Sequence, residues 1–362
     1  MTRLLSVKNE ILKRNLDAVL ISSISNIIYL TDFSHFSKEE REAFLLVTLD
    51  KCYILTDGRY SEAAAKKVKG FELIEISPRQ TLEKVLKGLA KKHKIKRVGL
   101  DHHNITFAEH KKLSNCFNDL NHFSIDKLRA IKTAHEILNI EKACKLTDKT
   151  FKHILNKIKL GVSEKQLAFE IELFIKRKGA DISFPPIVAI GANSSIPHHV
   201  PTNNKLTNNQ IVLVDFGAKV NNYCSDMTRT VFFGKASNKH KRIYQTVLAA
   251  QQKAIGSLAN KVPPLQGWNL AKKIDKAARD YIVSQGYPII PHSLGHGIGL
   301  EVHEAPHLSP KSKDILKPKM VFSIEPGIYI PNFGGVRIED LFVLGKSELK
   351  LLTLSSKDII EL

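Results

Sequence analysis

Cysteine is scarce in this sequence, with four residues among 362, and they form no CxxC pair. The sequence therefore predicts neither a disulfide framework nor a cysteine-based zinc site. No apolar run approaches the ~20 residues that a membrane-spanning helix needs, and residues 1–10 lack the apolar core of a signal peptide. We therefore expect a cytoplasmic protein that has no membrane partner.

Acidic residues are outnumbered, with 36 Asp and Glu against 55 Lys and Arg, which gives a formal net charge of +19. A charge of this sign can indicate nucleic acid as a partner. However, the basic residues are spread along the chain, and the one dense run, residues 91–97, contains no aromatic side chain. A lysine-rich surface explains the charge more simply, so we do not expect nucleic acid as the main partner.

Short apolar strands alternate with amphipathic helices over residues 1–127, which predicts an α/β domain. The predicted strands are Ala18–Ile21, Ile27–Leu30, Phe44–Leu49, Cys52–Leu55, Phe71–Ile76 and Val98–Leu100. The predicted helices are Tyr60–Val68 and Thr81–Lys91. This region does not concentrate residue types that catalyse reactions, so we look for the functional site elsewhere.

Helices and strands fall into separate blocks over residues 128–362, which predicts an α+β domain with an antiparallel sheet. The predicted helices are Ala134–Lys159, Ser163–Gly179, Lys239–Leu258 and Leu265–Gln285. The predicted strands are Ile187–Ile190, Ile211–Phe216, Met227–Phe233, Met320–Ile330 and Val336–Val343. Two helices followed by a hairpin occur twice, as an internal structural duplication would produce.

Acidic residues stand at the ends of apolar strands in this second region. Asp215 lies near the end of one predicted strand, and Asp226 lies just before the next. A hairpin centred between Val220 and Asn221 would place the two residues opposite each other, with Cβ atoms ~4.5–5.5 Å apart. Two carboxylates at that distance repel strongly unless a cation or a shared proton compensates.

The same construction recurs downstream, where Glu325 and Glu339 lie seven positions on either side of Asn332. Between the hairpins, His296 stands in a glycine-rich segment that lets the backbone approach a site closely. Two Asp, two Glu and one His form a ligand set dominated by hard oxygen. This set favours two divalent ions, with manganese preferred and cobalt, iron or zinc as alternatives. A single acid in a strand usually faces water at an edge, so the argument for metal depends on the repeated pairing.

Five segments resemble motifs of the metallopeptidases with the pita-bread (creatinase) fold, a family that includes aminopeptidase P, prolidase and methionine aminopeptidase. They occur in the family's order and are Val214–Gly217, Ser225–Thr230, Gly295–Gly299, Ile324–Gly327 and Arg337–Asp340. Segments 29–33, 57–60 and 128–132 are similar to the family's N-terminal domain and its boundary. The resemblance implies a pita-bread domain over residues 128–362, preceded by a creatinase-like α/β domain over residues 1–127.

The resemblance also implies a role for each member of the ligand set. Asp215 would bind one metal ion, His296 and Glu325 would bind the other, and Asp226 and Glu339 would bridge both ions. A water that bridges the ions would attack the scissile carbonyl, and Glu325 would also shuttle a proton.

Three further residues match the family pattern. His198, 17 positions before Asp215, corresponds to a substrate-binding histidine, with the adjacent His199 as the alternative. His303 corresponds to a second histidine, and such imidazoles can hydrogen-bond a substrate carbonyl. Arg337 shares a sheet face with Glu339 by alternation. Its family counterpart orients the site, and an ordinary ion pair with a nearby acid is an equal interpretation.

An N-terminal domain of this kind accompanies aminopeptidase P and prolidase, and methionine aminopeptidases usually lack it. The resemblance therefore implies an Xaa-Pro aminopeptidase, which hydrolyses the bond between an N-terminal residue and a following proline, with Xaa-Pro dipeptidase as the alternative. The expected partners are a peptide with proline in its second position and a second copy of the chain in a homodimer. A non-catalytic binding protein and a creatinase-like C–N hydrolase are less favoured because all five ligands are present.

Overall fold

The computed structural model of the chain describes residues 3–37, 40–259, 270–346 and 348–362. The chain divides into two compact units, Met1–Arg129 and Ala130–Leu362. Across the described ranges, no helix combines the length and the apolar character needed to span a lipid bilayer.

The first unit is built on one mixed six-stranded sheet. Its strands are β1 (Ala18–Ile21), β2 (Ala43–Thr48), β3 (Cys52–Asp57), β4 (Glu72–Ile76), β5 (Arg97–Leu100) and β6 (Asp119–His122). Its helices are α1 (Arg3–Lys13), α2 (Ile24–Thr31), α3 (Ser61–Lys67), α4 (Leu82–His93) and α5 (Phe107–Leu113), and α6 (Asp126–Ala130) spans the unit boundary. The strand order is β4-β3-β2-β1-β5-β6, in which β2 is antiparallel to both neighbours and the other pairs are parallel.

One predicted element of this unit is wrong, because the segment Ile27–Leu30 lies in helix α2 and not in a strand. A short apolar run cannot be told from a buried helix by periodicity, and residues 24–29 of this helix are all buried. The helix begins after Ser23, which is extended, and ends at Asp32, which is left-handed. The other predicted elements of the unit match observed elements to within two residues at each end.

The second unit alternates pairs of helices with antiparallel strands. Its helices are α7 (Ala134–Leu155), α8 (Glu164–Arg177), α9 (Asn238–Ala259) and α10 (Ala271–Ser284). Its strands are β7 (Asp181–Ile182), β8 (Ile187–Ile190), β9 (Gln210–Phe216), β10 (Ala218–Val220), β11 (Tyr223–Cys224), β12 (Met227–Phe233), β13 (Gly295–Gly297), β14 (Glu304–Leu308), β15 (Val321–Ile324), β16 (Gly327–Ile330), β17 (Gly334–Arg337), β18 (Asp340–Leu344) and β19 (Leu349–Leu351). The predicted helix Leu265–Gln285 corresponds to α10, and its residues 265–269 lie outside the described residues.

Two hydrophobic cores support this unit. One joins α7 and α8 to the sheet β12-β9-β8, and the other joins α9 and α10 to strands β15–β18. Helices α7 and α8 both begin at capping boxes, in which Thr133 pairs with Glu136 and Ser163 pairs with Gln166. The antiparallel sheets and segregated helices confirm the predicted α+β class.

The turn of the first acidic hairpin is centred one position later in the chain than predicted, and this moves the partner of Asp215 by two residues. Its turn residues are Asn221 and Asn222, both with positive φ (50° and 70°), as a two-residue type I′ turn requires. As a result, Asp215 lies opposite Thr228 and not opposite Asp226. The two segments of this hairpin approach each other closely at Gly217. An added Cβ there would lie 1.8 Å from the backbone oxygen of Ser225, the residue before Asp226.

The second acidic hairpin has the predicted register. Gly327 pairs with Arg337 and Ile324 pairs with Asp340, so Glu325 and Glu339 lie opposite each other in the same register. Each predicted long strand is divided in two at its glutamate, since β15 and β16 flank Glu325 and β17 and β18 precede and follow Glu339. Both glutamates therefore stand at breaks in the ladder, where their side chains are not confined to an ordinary strand face.

Candidate metal centre

The five predicted metal ligands line one cavity of about 720 Å³ in the second unit. They come from five places in the chain: β9, the residue before β12, β13, and the breaks after β15 and after β17. The cavity is also lined by His198, His303 and Arg337, and by an apolar wall that includes Phe184, Pro185, Pro186, Val200 and Val302. The structure thus brings together every residue that the sequence predicted for the site.

Three of these residues lie close enough to share one cation. Ligand atoms of Asp226, His296 and Glu339 all lie within 4.8 Å of one another, and all three residues are buried. Oδ1 of Asp226 and Oε1 of Glu339 are buried and accept no hydrogen bond from the described residues, and the same is true of Oδ1 of Asp215. Buried anionic oxygens without donors are costly, so this set fits a divalent cation.

The pKa values of the two acids at the centre reflect their burial and the neighbouring carboxylates. Burial raises the pKa of Asp226 well above its usual range, and the negative charge of Glu339 adds to the effect. Burial also raises the pKa of Glu339, with a further contribution from Glu325. Like charges brought together in a buried site have this effect because ionising one opposes ionising the next.

The other two acids have cationic partners within the protein. Asp215 Oδ2 lies 2.5 Å from Arg337 Nη2, and Glu325 Oε1 lies 3.3 Å from His296 Nε2. Burial alone would raise the pKa of Glu325, but the hydrogen bond and charge of His296 outweigh it and lower that pKa to about 2. The same interaction raises the pKa of His296 against the effect of its own burial.

Arg337 connects the two hairpins through hydrogen bonds. Besides its pair with Asp215, it donates from Nη1 to the Tyr329 hydroxyl (2.9 Å) and from Nε to Thr228 Oγ1 (3.0 Å). Thr228 in turn donates to Glu339 Oε2 at 2.8 Å. The arginine therefore fixes the orientation of an acid from the first hairpin, and through Thr228 it reaches an acid of the second.

The two adjacent histidines have different environments. His199 is buried, and its Nε2 lies 2.8 Å from Glu164 Oε2. That carboxylate also accepts hydrogen bonds from Thr202, and although burial opposes the shift, these bonds lower its pKa to about 2. His198 is exposed and lines the cavity. The geometry therefore favours His198 as the histidine available to a ligand and makes His199 an anchor of its loop.

His303 lies beside the centre, with its ring 4.4 Å from the ring of His296 in an edge-on arrangement. Partial burial lowers the pKa of His303, and the neighbouring charges of His296 and His198 lower it further. His303 is therefore a neutral hydrogen-bonding group at neutral pH, within the cavity and next to a predicted metal ligand.

Sequence reasoning missed several residues that hold the site. Tyr329 and Thr228 both bind Arg337, and Glu164 anchors His199. His292, in the loop before β13, has its Nε2 2.8 Å from the Tyr329 hydroxyl. Two-residue alternation from Asp226 could have indicated Thr228, whereas only the folded chain shows the contact of Tyr329 with Arg337.

Two family profiles match the chain. The profile described as metallopeptidase family M24 matches residues 139–346, and the profile described as the creatinase/prolidase N-terminal domain matches residues 3–131. A relative, the Xaa-Pro dipeptidase of Pyrococcus horikoshii, is 33% identical over 361 residues, which cover 96% of this chain and 95% of that protein.

Solved structures agree with these matches. The Xaa-Pro dipeptidase from Bacillus anthracis superposes with a TM-score of 0.89 at 34% identity, over 99% of this chain and 98% of that one. The X-Pro aminopeptidase from Thermotoga maritima superposes with a TM-score of 0.87 at 30% identity, over 100% of both chains. The chain therefore belongs to metallopeptidase family M24, and it carries a creatinase-type N-terminal domain before its pita-bread domain.

Proposed function

We propose that this protein is a metal-dependent Xaa-Pro dipeptidase, which hydrolyses the bond between an N-terminal residue and a C-terminal proline. The observation that carries the proposal is the buried cluster of Asp226, His296 and Glu339, in which Asp226 Oδ1 and Glu339 Oε1 accept no hydrogen bond from the described residues. A buried excess of negative charge in a cavity open to a ligand is what a catalytic metal site requires before its cations bind.

The donor set supports two divalent cations, with manganese as the first candidate and cobalt, iron or zinc as alternatives. Asp215 would hold one ion, His296 and Glu325 the other, and Asp226 and Glu339 both. Bound cations of this kind supply Lewis-acid chemistry for hydrolysis of an amide bond.

The chain's own groups have separate tasks in this proposal. Glu325, partly buried and paired with His296, accepts and returns a proton at its carboxylate. His198 and His303 face the cavity and hydrogen-bond the carbonyl or carboxylate oxygens of the substrate. Arg337 keeps Asp215 oriented through its 2.5 Å contact. The apolar wall with Phe184 to Pro186 offers a surface for a proline ring, which has no N–H to satisfy.

The choice between a dipeptide and a longer substrate follows the relatives. The Pyrococcus horikoshii relative and the Bacillus anthracis structure are both named Xaa-Pro dipeptidases, and they favour this activity over the aminopeptidase that the sequence first suggested. The Thermotoga maritima structure, named X-Pro aminopeptidase, keeps cleavage of longer Xaa-Pro peptides as the second candidate. A non-catalytic protein and a C–N hydrolase are less supported because all five ligands converge.

The test is hydrolysis by metal-stripped protein to which Mn²⁺, Co²⁺ or Zn²⁺ is added back. The substrates are Ala-Pro, Ala-Pro-Ala and, as a matched control, Ala-Ala. We expect metal-dependent cleavage of Ala-Pro, with much slower cleavage of the tripeptide and of Ala-Ala. Faster cleavage of Ala-Pro-Ala would select the aminopeptidase, and the absence of hydrolysis with every metal would refute the proposed function.

Three further expectations stay predictions. They are the homodimer, the cytoplasmic location and the absence of nucleic acid as a main partner. Sedimentation of the metal-loaded protein, and its salt-dependent retention on nucleic acid, measure the first and the third directly.

A further inference from the structure

The first unit contains a cavity of about 550 Å³ whose lining residues all precede residue 114, so it is separate from the proposed peptidase site. It lies beyond the carboxyl ends of the parallel strands. Ser22 and Asp101 directly follow β1 and β5, and Asp57 and Ile76 are the last residues of β3 and β4. In the strand order, the connection from β3 to β4 runs toward one edge strand of the sheet, and the connection from β5 to β6 runs toward the opposite edge strand. Open α/β sheets bind small ligands at this kind of position.

The interior of this cavity is apolar. Leu20, Phe44 and Leu100 contribute from the sheet, Leu82 from helix α4 and Leu113 from helix α5. Small-molecule sites in proteins typically have a volume of ~300–1,000 Å³, a mostly apolar lining and a few polar groups that orient the ligand. Size and lining therefore both fit a small organic molecule.

The polar groups at this cavity are predominantly anionic, in a chain whose net charge is +19. The acidic lining residues are Glu42, Asp57, Glu83, Asp101 and Glu109, and the basic ones are Arg41 and Lys112. Arg41 is already engaged, because its Nε lies 3.0 Å from Glu109 and its Nη2 donates to the Asn104 carbonyl at 2.8 Å.

One side of the cavity has three carboxylates around a single cation. The guanidinium of Arg59 is shared by three carboxylates, at 2.9 Å from Glu42, 2.7 Å from Asp57 and 3.0 Å from Glu40. The Glu42 side chain is only 3% exposed, whereas the Arg59 side chain is 60% exposed. A single hydrated cation thus balances three anions, one of them buried.

The helical side of the cavity adds more negative charge. Glu83, in the first turn of α4, forms no ion pair within the part of the chain that the structure describes. Asp101 accepts a hydrogen bond from the His103 amide at 3.0 Å and forms no ion pair with the described residues. Lys112 is exposed at the rim. Because anionic ligands would meet this excess of carboxylates, the cavity disfavours phosphates and nucleotides.

We propose that this cavity of the N-terminal unit binds a small organic cation with an apolar body, namely an aryl or alkyl amine. The apolar group occupies the space between Leu20, Phe44 and Leu113, and the ammonium group lies at the carboxylates of Glu83 and Glu42. This binding site is independent of the metal centre and does not depend on the proposed peptidase activity.

The test uses the full chain and three probes of nearly equal shape, measured by titration calorimetry. They are 2-phenylethylamine, the neutral 2-phenylethanol and the anionic 3-phenylpropionate. We expect the amine to bind about tenfold or more tightly than the alcohol, and the anion to bind most weakly. Glu83→Gln and Glu42→Gln should each weaken amine binding about three- to tenfold, whereas Glu62→Gln, on the exposed face of α3, should leave it unchanged.

Two further variants locate the binding. Leu82→Trp fills the cavity from a partly exposed position and should abolish binding of the amine without loss of the folded state. Asp226→Asn, at the metal centre, should leave amine binding intact. Equal affinity for amine and alcohol, unchanged binding in both Glu83→Gln and Leu82→Trp, or loss of binding in Asp226→Asn would each overturn the proposal. Hydrolysis of Ala-Pro by Glu83→Gln should equal that of the wild type, which keeps this test separate from that of the peptidase function.

Discussion

The two hairpins that supply the acids can be compared by the charged groups that lie next to each acid. In the first, Asp215 contacts Arg337 at 2.5 Å, whereas Asp226 lies 3.7 Å from His296, and each of these acids keeps one buried oxygen without a donor among the described residues. In the second, Glu325 lies 3.3 Å from His296, whereas Glu339 keeps such an oxygen. Each hairpin therefore contributes one acid in a short contact with a basic side chain and one acid whose contacts are weaker, since Asp226 lies 3.7 Å from His296 and Glu339 accepts a hydrogen bond from Thr228.

This division matches the roles that the family resemblance implies, although it comes from hydrogen bonds alone. The two acids whose pKa is raised are those proposed to bridge both ions, and the two acids with a basic side chain within 3.3 Å are those proposed to bind a single ion. Acids in short ion pairs keep a fixed orientation, whereas buried acids with raised pKa values favour the binding of a metal ion. The predictions below test the difference between the two classes.

The largest effect is expected for Asp226→Asn. This change removes one of the two carboxylates proposed to hold both ions, so hydrolysis of Ala-Pro should fall by about three orders of magnitude or more, as expected for the loss of several kcal/mol of transition-state stabilisation. The rise in melting temperature that Mn²⁺ produces should shrink as well. Wild-type turnover with an unchanged metal-induced shift would show that Asp226 is not a ligand.

The stability of the metal-free protein should change in opposite directions for the two acids of the first hairpin. At pH 8 with chelator, Asp226→Asn should stabilise the fold, since it relieves buried repulsion. Asp215→Asn should destabilise it by about 3 kcal/mol, because it leaves the buried Arg337 without an ionic partner. Urea unfolding measures both changes, and equal signs for the two variants would refute the division into two classes.

A smaller effect is expected where the hairpins meet, at Thr228. Thr228→Val removes the acceptor of Arg337 and the donor to Glu339, so activity should fall about 10- to 100-fold. The matched control is Thr230→Val, because the Thr230 hydroxyl binds only the backbone of Arg337. Both variants should lose about 1–2 kcal/mol of stability, but the control should keep most of its activity. Equal losses of activity would mean that the Thr228 contact has no special role.

The smallest effect is expected at the turns. Asn222 and Asn332 both have positive φ, 70° and 62°. Asn222→Ala and Asn332→Ala should each cost about 1 kcal/mol because alanine tolerates this conformation poorly, whereas the glycine variants should be close to neutral. kcat/KM should not change, since neither residue lines the cavity. A change in activity without a change in stability would contradict this expectation.

The sequence predicted the second hairpin better than the first, and the reason lies in the turns. Symmetry about Asn332 gave the observed register of Glu325 and Glu339. In the first hairpin, a centre between Val220 and Asn221 was as consistent with the apolar pattern as the observed centre between Asn221 and Asn222. The Asn-Asn pair, which suits a type I′ turn, was the signal that would have fixed it.

Helix α2 shows a second limit of sequence reasoning. Its residues Ile27 to Leu30 have the composition of a strand, and burial on all sides removes the polar face that would have indicated a helix. By contrast, the capping residues Thr133 and Ser163 indicate the starts of α7 and α8 in the sequence itself.

The sequence by itself determined the fold class, the family and the five candidate ligands, because strand patterns and motif spacing are local properties of the chain. The tertiary structure decided which histidine of the pair is held by a carboxylate, since Glu164 lies 35 positions from His199 in the chain. It also decided which acids have cationic partners, because the contact of Asp215 with Arg337 spans 122 positions. Charge compensation depends on distances in space, and only the folded chain fixes those distances.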